Sequence, residues 1–599
     1  MDTESVVIVG AGASGSTLAL LLARHGIRST VVEERLEPRL HPAAHVINAR
    51  TLEIWNQASA DLGSALEAIT PPIDTVNIIR WCTDVRSGPI GEIDLLSQPE
   101  RLAEVRTHSS YLISHIGQHL LMPVLWEALD SEPLVDFRRG THAELSGERV
   151  TLRPADMEPV AVSPRFVIAA DGANSTLRDA AGIAMSGPVL ANMGSVFFHA
   201  PQLYPNGASR PLLSWIYHPQ FSGVMIAHAD DDYVLMTPYL HSAQSIARDS
   251  RSYWNRILPN VIGSNDYRIR STGTWTMTKQ IADRFRRGSL LLIGDAAHRF
   301  PHTGGFGLNS GVQDAHNLAW KLSAVLNDGA AESLLDTYET ERRPVITRFA
   351  EQSTSNHFKL DEVTAPLGIT NRSLHKATEL IGKLRLSWVP DSVIARVTDA
   401  LTTTQTSRTR RLLRQNARSR RLCERMADEI PNQEEHFVAS GLEFGYGYTS
   451  PLIDTAEGPC PDGDVARYRP TTHPGARLPH VIIQSADGSE RSTHAAIARR
   501  GLTLFTADAQ GWTEALARTT LSAPLEVVPL RSASAQLHRT MIDMFEVGER
   551  GAVLVRPDGH VVWRTSTDST DIDQLRTFVE RSWSAVYPGA SAAMSQHSA

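Results

Sequence analysis

Ser289-Leu-Leu-Leu-Ile-Gly-Asp-Ala-Ala-His-Arg-Phe-Pro-His-Thr-Gly-Gly-Phe-Gly-Leu-Asn309 is the stretch that decides how the chain folds. Leu290 to Ile293 is an apolar run short enough for a buried strand, and Gly294-Asp295 ends it. The Asp295 carboxylate therefore stands at a strand's carboxyl end, where open α/β sheets bind ligands. Gly304, Gly305 and Gly307 let the backbone approach a flat ligand closely. A helix is expected from near Asn309, and its amino end offers unpaired N–H groups and partial positive charge.

Two other stretches repeat the strand-then-acid arrangement. Val6-Val-Ile-Val-Gly-Ala-Gly-Ala-Ser-Gly15 reads as strand, turn and helix start. Gly10 makes the tight turn, Gly12 leaves room for a pyrophosphate at the helix amino end, and Gly15 allows close helix packing. A second strand, Ser29 to Val32, ends at Glu33, the distance expected of a ribose-binding acid. Glu34 is the alternative, but it points to the opposite face. Arg165-Phe-Val-Ile-Ala-Ala-Asp-Gly-Ala-Asn-Ser-Thr-Leu-Arg178 places Asp171 and Gly172 after a third apolar strand.

Gly294-Asp295, Pro301, Gly304 to Asn309 and Asp314 to Leu322, taken with Asp171, Gly172, Ser175 and Arg178, closely resemble the flavin motifs of the FAD-dependent aromatic hydroxylases. These are the single-component monooxygenases with the p-hydroxybenzoate hydroxylase fold. The resemblance is nearest to phenol hydroxylase and dichlorophenol monooxygenase-like members. It implies bound FAD contacted by Gly10, Gly12, Ser14, Gly15, Glu33, Gln118, Asp171, Gly172, Asp295, Gly305, Gly307, Leu308 and Asn309. It also implies NAD(P)H as a transient reductant, since no second GxGxxG is present, and O2 transfer to a phenolic substrate through a flavin hydroperoxide. His45 falls where such hydroxylases keep a group near the substrate hydroxyl, and an ordinary imidazole pKa near 6.5 suits proton transfer. His302 is the second catalytic candidate. It replaces the second proline of the family's Pro-Pro pair, and Ala43 stands where the family usually carries arginine. Two rivals remain: a repurposed flavin-binding protein, supported by Ala43 and His302, and a flavin-dependent halogenase, which lacks its WxWxIP stretch here.

At 599 residues and 42% hydrophobic content, the chain holds several domains with large cores. A net charge of −8 leaves no basic field for nucleic acid or membrane. Cys82, Cys423 and Cys460 are far apart, so neither a disulfide framework nor a metal site is indicated. The first strand begins almost at the initiator methionine and no apolar run is long enough to span a membrane, so a cytoplasmic protein is expected. A homodimer is the oligomer considered.

The expected fold class is α/β, with a Rossmann-like FAD-binding domain over 1–186 and 279–350. A β-sheet substrate domain is inserted over 187–278, with Trp215, Tyr217 and Met225 as pocket candidates. Residues 351–444 form a helical segment, with Arg410, Arg414, Arg418 and Arg421 on one helix face. Residues 445–587 resemble the thioredoxin-like terminal domain of phenol hydroxylase relatives, without its CxxC. The tail, 588–599, is expected to be disordered.

Overall fold

The computed structural model describes residues 5–588, apart from 40, 148, 205–209, 384–388, 415, 486, 533 and 567–569. Its organising layer is a six-stranded sheet in the order Arg286–Arg287, Leu290–Leu292, Phe166–Ala169, Val6–Val9, Ser29–Glu33, Val135–Arg139. All pairs are parallel except the edge pair with Arg286–Arg287. The inner strands are covered on both faces and therefore read as unbroken apolar runs. Val9 lies opposite Ala169, and Ala169 opposite Leu292, so Gly10, Asp171 and Asp295 leave the sheet at the same end.

Close approach of backbone explains two of the glycines. Gly10 has φ +103, and a Cβ there would lie 2.3 Å from the Ala170 carbonyl oxygen. A Cβ on Gly15 would lie 2.0 Å from the Gly10 carbonyl oxygen. The helix Ala13–Arg24 thus sits tightly on the sheet and packs along Phe306–Asn327.

The second helix starts earlier than the sequence indicates. It begins at Phe306, with Gly305 at its N-cap in the left-handed region, so Asn309 lies inside the first turn. There the Asn309 side chain accepts from the Asn48 N–H (3.0 Å) and the Thr51 hydroxyl (2.8 Å) and donates to the Val46 and Gly305 carbonyls. It clamps two segments together, and this tertiary use displaces the helix start expected from its capping propensity.

The larger sheet has seven strands, in the order 268–278, 189–199, 232–239, 221–227, 213–218, 78–82, 91–94. The expected boundary at 187 therefore misses the hairpin of Ile78–Cys82 and Gly91–Asp94, whose first strand pairs in parallel with Leu213–His218. One face packs on the helix Ser250–Ile262 through Ile216, Leu235 and Trp254. Met225 lies on that face, because it is registered with Ser214 and Leu235 rather than with Trp215. It is core, not pocket. The other face, with Met193, Val224, Met236 and Trp215, looks toward the remainder of the chain.

Helices follow from Asp336 to Asp428. Arg410 sits in a 3-10 turn and a new helix starts at Ala417, capped by the Asn416 side chain. The four arginines therefore do not share one helix face, since Asn416 offers the backbone a start that arginine spacing does not register.

The C-terminal part contains a four-stranded sheet in the order Leu525–Pro529, Leu502–Thr506, Ala552–Val555, Val561–Thr565. It docks on the helices Phe306–Asn327 and Asp336–Lys359 through fully buried ions. Arg556 bridges Glu341 and Asp558, and Lys321 also bonds Glu341 at 2.7 Å. Glu53 receives Arg50 at 3.0 Å and Arg477 at 2.6 Å. The tail beyond 588 lies outside the described residues. Among the described residues no helix is long and apolar enough to cross a membrane.

Candidate active site

The crevice lies at the carboxyl ends of the six-stranded sheet, and its residues fit a dinucleotide. Around the point where a Gly12 side chain would begin, nothing lies within 4 Å, and the same holds for Gly172 and Gly307. Each marks open space beside a backbone turn. Gly12 caps the first helix and Gly307 lies in the first turn of Phe306–Asn327, so both openings face helix amino ends that favour negative charge.

Glu33 is buried at its strand end, where it accepts from the Ala11 N–H at 3.1 Å and from Arg35. It braces the glycine turn and keeps lone pairs for a diol. Asp171 takes the Leu177 N–H on one oxygen (3.2 Å), while its other oxygen, Oδ1, is buried with no partner within the protein. Desolvation raises its pKa. Asp295 is open to the crevice while protein surrounds it closely, and desolvation raises its pKa as well. A buried unpaired acceptor such as Asp171 Oδ1 is satisfied by a ligand hydroxyl. Arg178 ties the two acidic turns together by donating to the Ala173 and Ala296 carbonyls.

Behind Asp295, Asp314 accepts from the Gly294 N–H (3.1 Å), His298 (2.6 Å) and Arg342 (2.8 Å). The Ser14 hydroxyl faces Gly294 and Gly311, in the contact between the two long helices. Gln118 opens the helix Gln118–Ser131, and its N–H donates to the Ala44 carbonyl at 2.8 Å. Leu308 packs against the main core beside these turns. The structure thus brings together Gly10, Gly12, Glu33, Asp171, Gly172 and Asp295 with the loop and helix start at Gly305 to Asn309.

His45 belongs to a cluster that sequence reading did not identify. Its Nδ1 lies 3.3 Å from Nδ1 of His115, and its ring meets His228 edge-on at 5.9 Å. His228 in turn meets His119 at 5.3 Å. His41 hydrogen-bonds Ser271 and Ser195 alongside. The signal was available as two His-x-x-x-His runs, 41–45 and 115–119. Burial, aided by the nearby His302 imidazole, lowers the His45 pKa to about 4. Burial likewise lowers His302 to about 4, His115 to about 3 and His119 to about 4. The expectation of an imidazole titrating near 6.5 is therefore corrected, because desolvation disfavours the charged ring. Among the described residues no group of three or more His, Cys, Asp or Glu side chains is arranged to hold a metal ion.

A cavity of about 500 Å³ adjoins this region, between the seven-stranded sheet and the helices after Asp336. Trp215 and Tyr217 line it as expected, and Met225 does not. Of the glycine-rich loop 300–309, only His302 reaches its wall. That ring packs edge-on against Trp275 at 5.5 Å, and its buried Nδ1 has no partner within the protein.

Comparison with known proteins follows this geometry. A family described as "FAD binding domain" matches residues 3–353. The chain belongs to that family. A second family, "Aromatic-ring hydroxylase, C-terminal", matches residues 471–585 of the flavoprotein. It is 28% identical to a 2,4-dichlorophenol 6-monooxygenase of Cupriavidus pinatubonensis over 94% of each chain. It is 26% identical to a phenol 2-monooxygenase of a Pseudomonas species, over 95% of this chain and 91% of that one. A tetracenomycin B2 monooxygenase-dioxygenase of Streptomyces olivaceus is 28% identical over 94% of this chain and 96% of its own. Among solved structures, the flavin-dependent monooxygenase PieE, in complex with FAD and substrate, superposes with a TM-score of 0.81 at 26% identity, over 98% of this chain and 99% of that one. The flavoprotein is an FAD-dependent aromatic hydroxylase.

Proposed function

We propose that this flavoprotein hydroxylates a phenolic ring, with NAD(P)H as transient reductant and O2 as co-substrate. One observation carries the reading: the cavity adjoins the flavin loop through His302, so a ring seated there lies beside the redox crevice. FAD supplies electron storage and oxygen activation, which side chains cannot provide. Gly10, Gly12, Ser14 and Gly15 would hold its pyrophosphate, Glu33 its ribose, and Asp171, Gly172 and Asp295 would flank its ribityl hydroxyls. Gln118 would flank it, and Gly305, Gly307, Leu308 and Asn309 would present the helix end to it.

His302 and His45 act on the substrate proton. Both rings are neutral at pH 7, so either can accept a hydrogen bond from the phenol O–H and increase electron density on the ring, and His302 is the one that lines the cavity. Trp215, Met193 and the neighbouring sheet face exclude water.

The C-terminal unit is read as thioredoxin-like, supported by a parallel strand pair joined through a helix, then an antiparallel hairpin and a last helix. Without a CxxC its part is structural. Association as a homodimer is proposed on the exposed apolar row Val393, Val397 and Leu401 of one helix, and sedimentation decides it. A cytoplasmic setting supplies the NAD(P)H. The test of the main reading is product formation together with NAD(P)H consumption across a panel of phenols. NAD(P)H oxidation that no phenol stimulates would leave the repurposed flavin binder as the better reading.

A further inference from the structure

A second, smaller cavity of about 60 Å³ lies on the seam between the amino-terminal helices and the C-terminal unit. The helix Ala13–Arg24 contributes Arg24, with His25 just beyond its end, the helix Ala49–Ala58 contributes Gln57, and Phe306–Asn327 contributes His316. The C-terminal unit closes the space with His494 and Arg499. Among the described residues no Asp or Glu lines it.

Its charge is therefore one-sided. Neighbouring arginines are paired, Arg50 with Glu53 and Arg500 with Asp328. Among the described residues neither the Arg24 nor the Arg499 guanidinium has a hydrogen-bond or ion-pair partner. Burial and the charge of Arg499 lower the Arg24 pKa to about 10, and burial with both guanidinium charges lowers His25 to about 4. Two cations that share a small space with no anion between them are in conflict. A neutral donor joins them. His316 Nδ1 lies 3.4 Å from an Arg50 nitrogen and accepts there, so its Nε2–H donates to the Gln57 amide oxygen at 3.1 Å. The amide oxygen is thus engaged, and the Gln57 NH2 group, unpartnered among the described residues, is left to donate. At about 10–15 Å³ per water the cavity takes about four to six waters, room for a tetrahedral oxyanion and not for an aromatic ring.

We propose that this seam is an anion site, in which a phosphate group seated between Arg24 and Arg499, with the Gln57 amide donating to it, stitches the C-terminal unit to the helix Ala13–Arg24. The guanidinium fork matches phosphate oxygens in geometry as well as charge. The site is separate from the flavin crevice. It stands at the carboxyl end of the helix whose amino end is the proposed pyrophosphate seat, and 12 residues at 1.5 Å each put about 18 Å between the two. It does not rest on the hydroxylase reading.

The experiment uses the full-length FAD-loaded protein, titrated calorimetrically with inorganic phosphate or glycerol 3-phosphate at about pH 7.5, where a phosphate carries close to two charges. Chloride holds the ionic strength constant. Inorganic phosphate is expected to bind one saturable site and to raise Tm with concentration, as chloride does not. Arg24→Gln and Arg499→Gln should each weaken phosphate binding at least about tenfold while keeping wild-type flavin content, and Arg499→Lys should lose less. Arg499→Gln, at an exposed position, should melt no lower than wild type in chloride, because it removes a repulsion, and should gain little from phosphate. Weak glycerol 3-phosphate binding would identify the free ion as the occupant, and binding as tight as that of phosphate would identify the phosphate end of a larger molecule. No saturable phosphate binding would overturn the proposal, as would binding that both glutamine variants leave unchanged. A lower Tm of Arg499→Gln in chloride with a full gain from phosphate would give Arg499 a packing role and overturn it as well.

Discussion

Replacing Arg556 with methionine should loosen the C-terminal unit from the flavin-motif helices. Its guanidinium makes four short contacts, to Glu341 at 2.6 and 2.8 Å and to Asp558 at 2.8 and 2.8 Å. All these side chains and Lys321 are buried, so two cations and two anions balance away from water. Methionine approximates the volume but leaves one carboxylate uncompensated. Removing one partner of such a group costs about 3–5 kcal/mol. For a unit of this size that is a loss of roughly 10 °C or more in Tm. The sign of the pH dependence follows from the carboxylates, whose pKa values the buried cations hold well below the usual range. Their contribution is present above the unfolded pKa near 4 and fades as pH falls through the folded values. In the variant the orphaned acid can take up a proton, so the Tm gap to wild type should be widest near pH 7 and shrink toward pH 5. Scanning calorimetry at both pH values, with limited proteolysis of the 445–470 stretch, reads the effect. An unchanged Tm and an unchanged digestion pattern would refute the idea that these ions hold the unit in place.

Gly12→Val should fold normally, because the space where its side chain begins is open, yet purify colourless since that space is the proposed pyrophosphate seat. The ratio of flavin to protein absorbance decides it, with circular dichroism as the folding check. His45→Ala should retain FAD and slow hydroxylation by roughly 10² to 10⁴, with NAD(P)H diverted to hydrogen peroxide. Because burial lowers the His45 pKa to about 4, the wild-type rate should show no inflection from this ring between about pH 6 and 9, and a His45-dependent inflection near 6.5 would contradict the structure. The clustered histidines should also make the protein acid-sensitive. His45, His115, His119 and His302 titrate at about 3 to 4 when folded and near 6.5 when unfolded, so the unfolded chain binds more protons between those limits. Tm should fall as pH drops from 6.5 to 4, and less steeply in His115→Asn. An equally steep fall in that variant would remove the cluster from the explanation.

The crevice was legible in the sequence because it is built from short-range grammar. An apolar strand, a glycine turn and an acid are adjacent in the chain at Gly10, Asp171 and Asp295, and parallel pairing alone brings the three together. Trp215 and Tyr217 were legible for a similar reason, since alternate residues of a strand share a face. What escaped notice depends on distant partners. The hairpin 78–94 joins its sheet through pairing with residues more than a hundred positions away. Met225 looks as apolar as Trp215, and only register separates their faces. The histidine cluster assembles from four segments, and the Glu341–Arg556 pair joins residues 215 positions apart. The arginines after 408 were misplaced by a local signal, Asn416, that starts a new helix between them.

The interleaving of the two large sheets has a consequence for biosynthesis. The strand Phe166–Ala169 has its outer edge unpaired until Leu290–Leu292 arrives, some 120 residues later, with the substrate wall lying between them in the chain. At roughly 5–20 residues per second the nascent chain waits about 6–25 s with an open apolar edge. During that interval Ile78–Cys82 already has its partner in Leu213–His218. Asp295 and the helix start at Phe306 emerge last of the proposed cofactor contacts. Flavin supply therefore acts late in synthesis, on a molecule whose substrate wall is already in place.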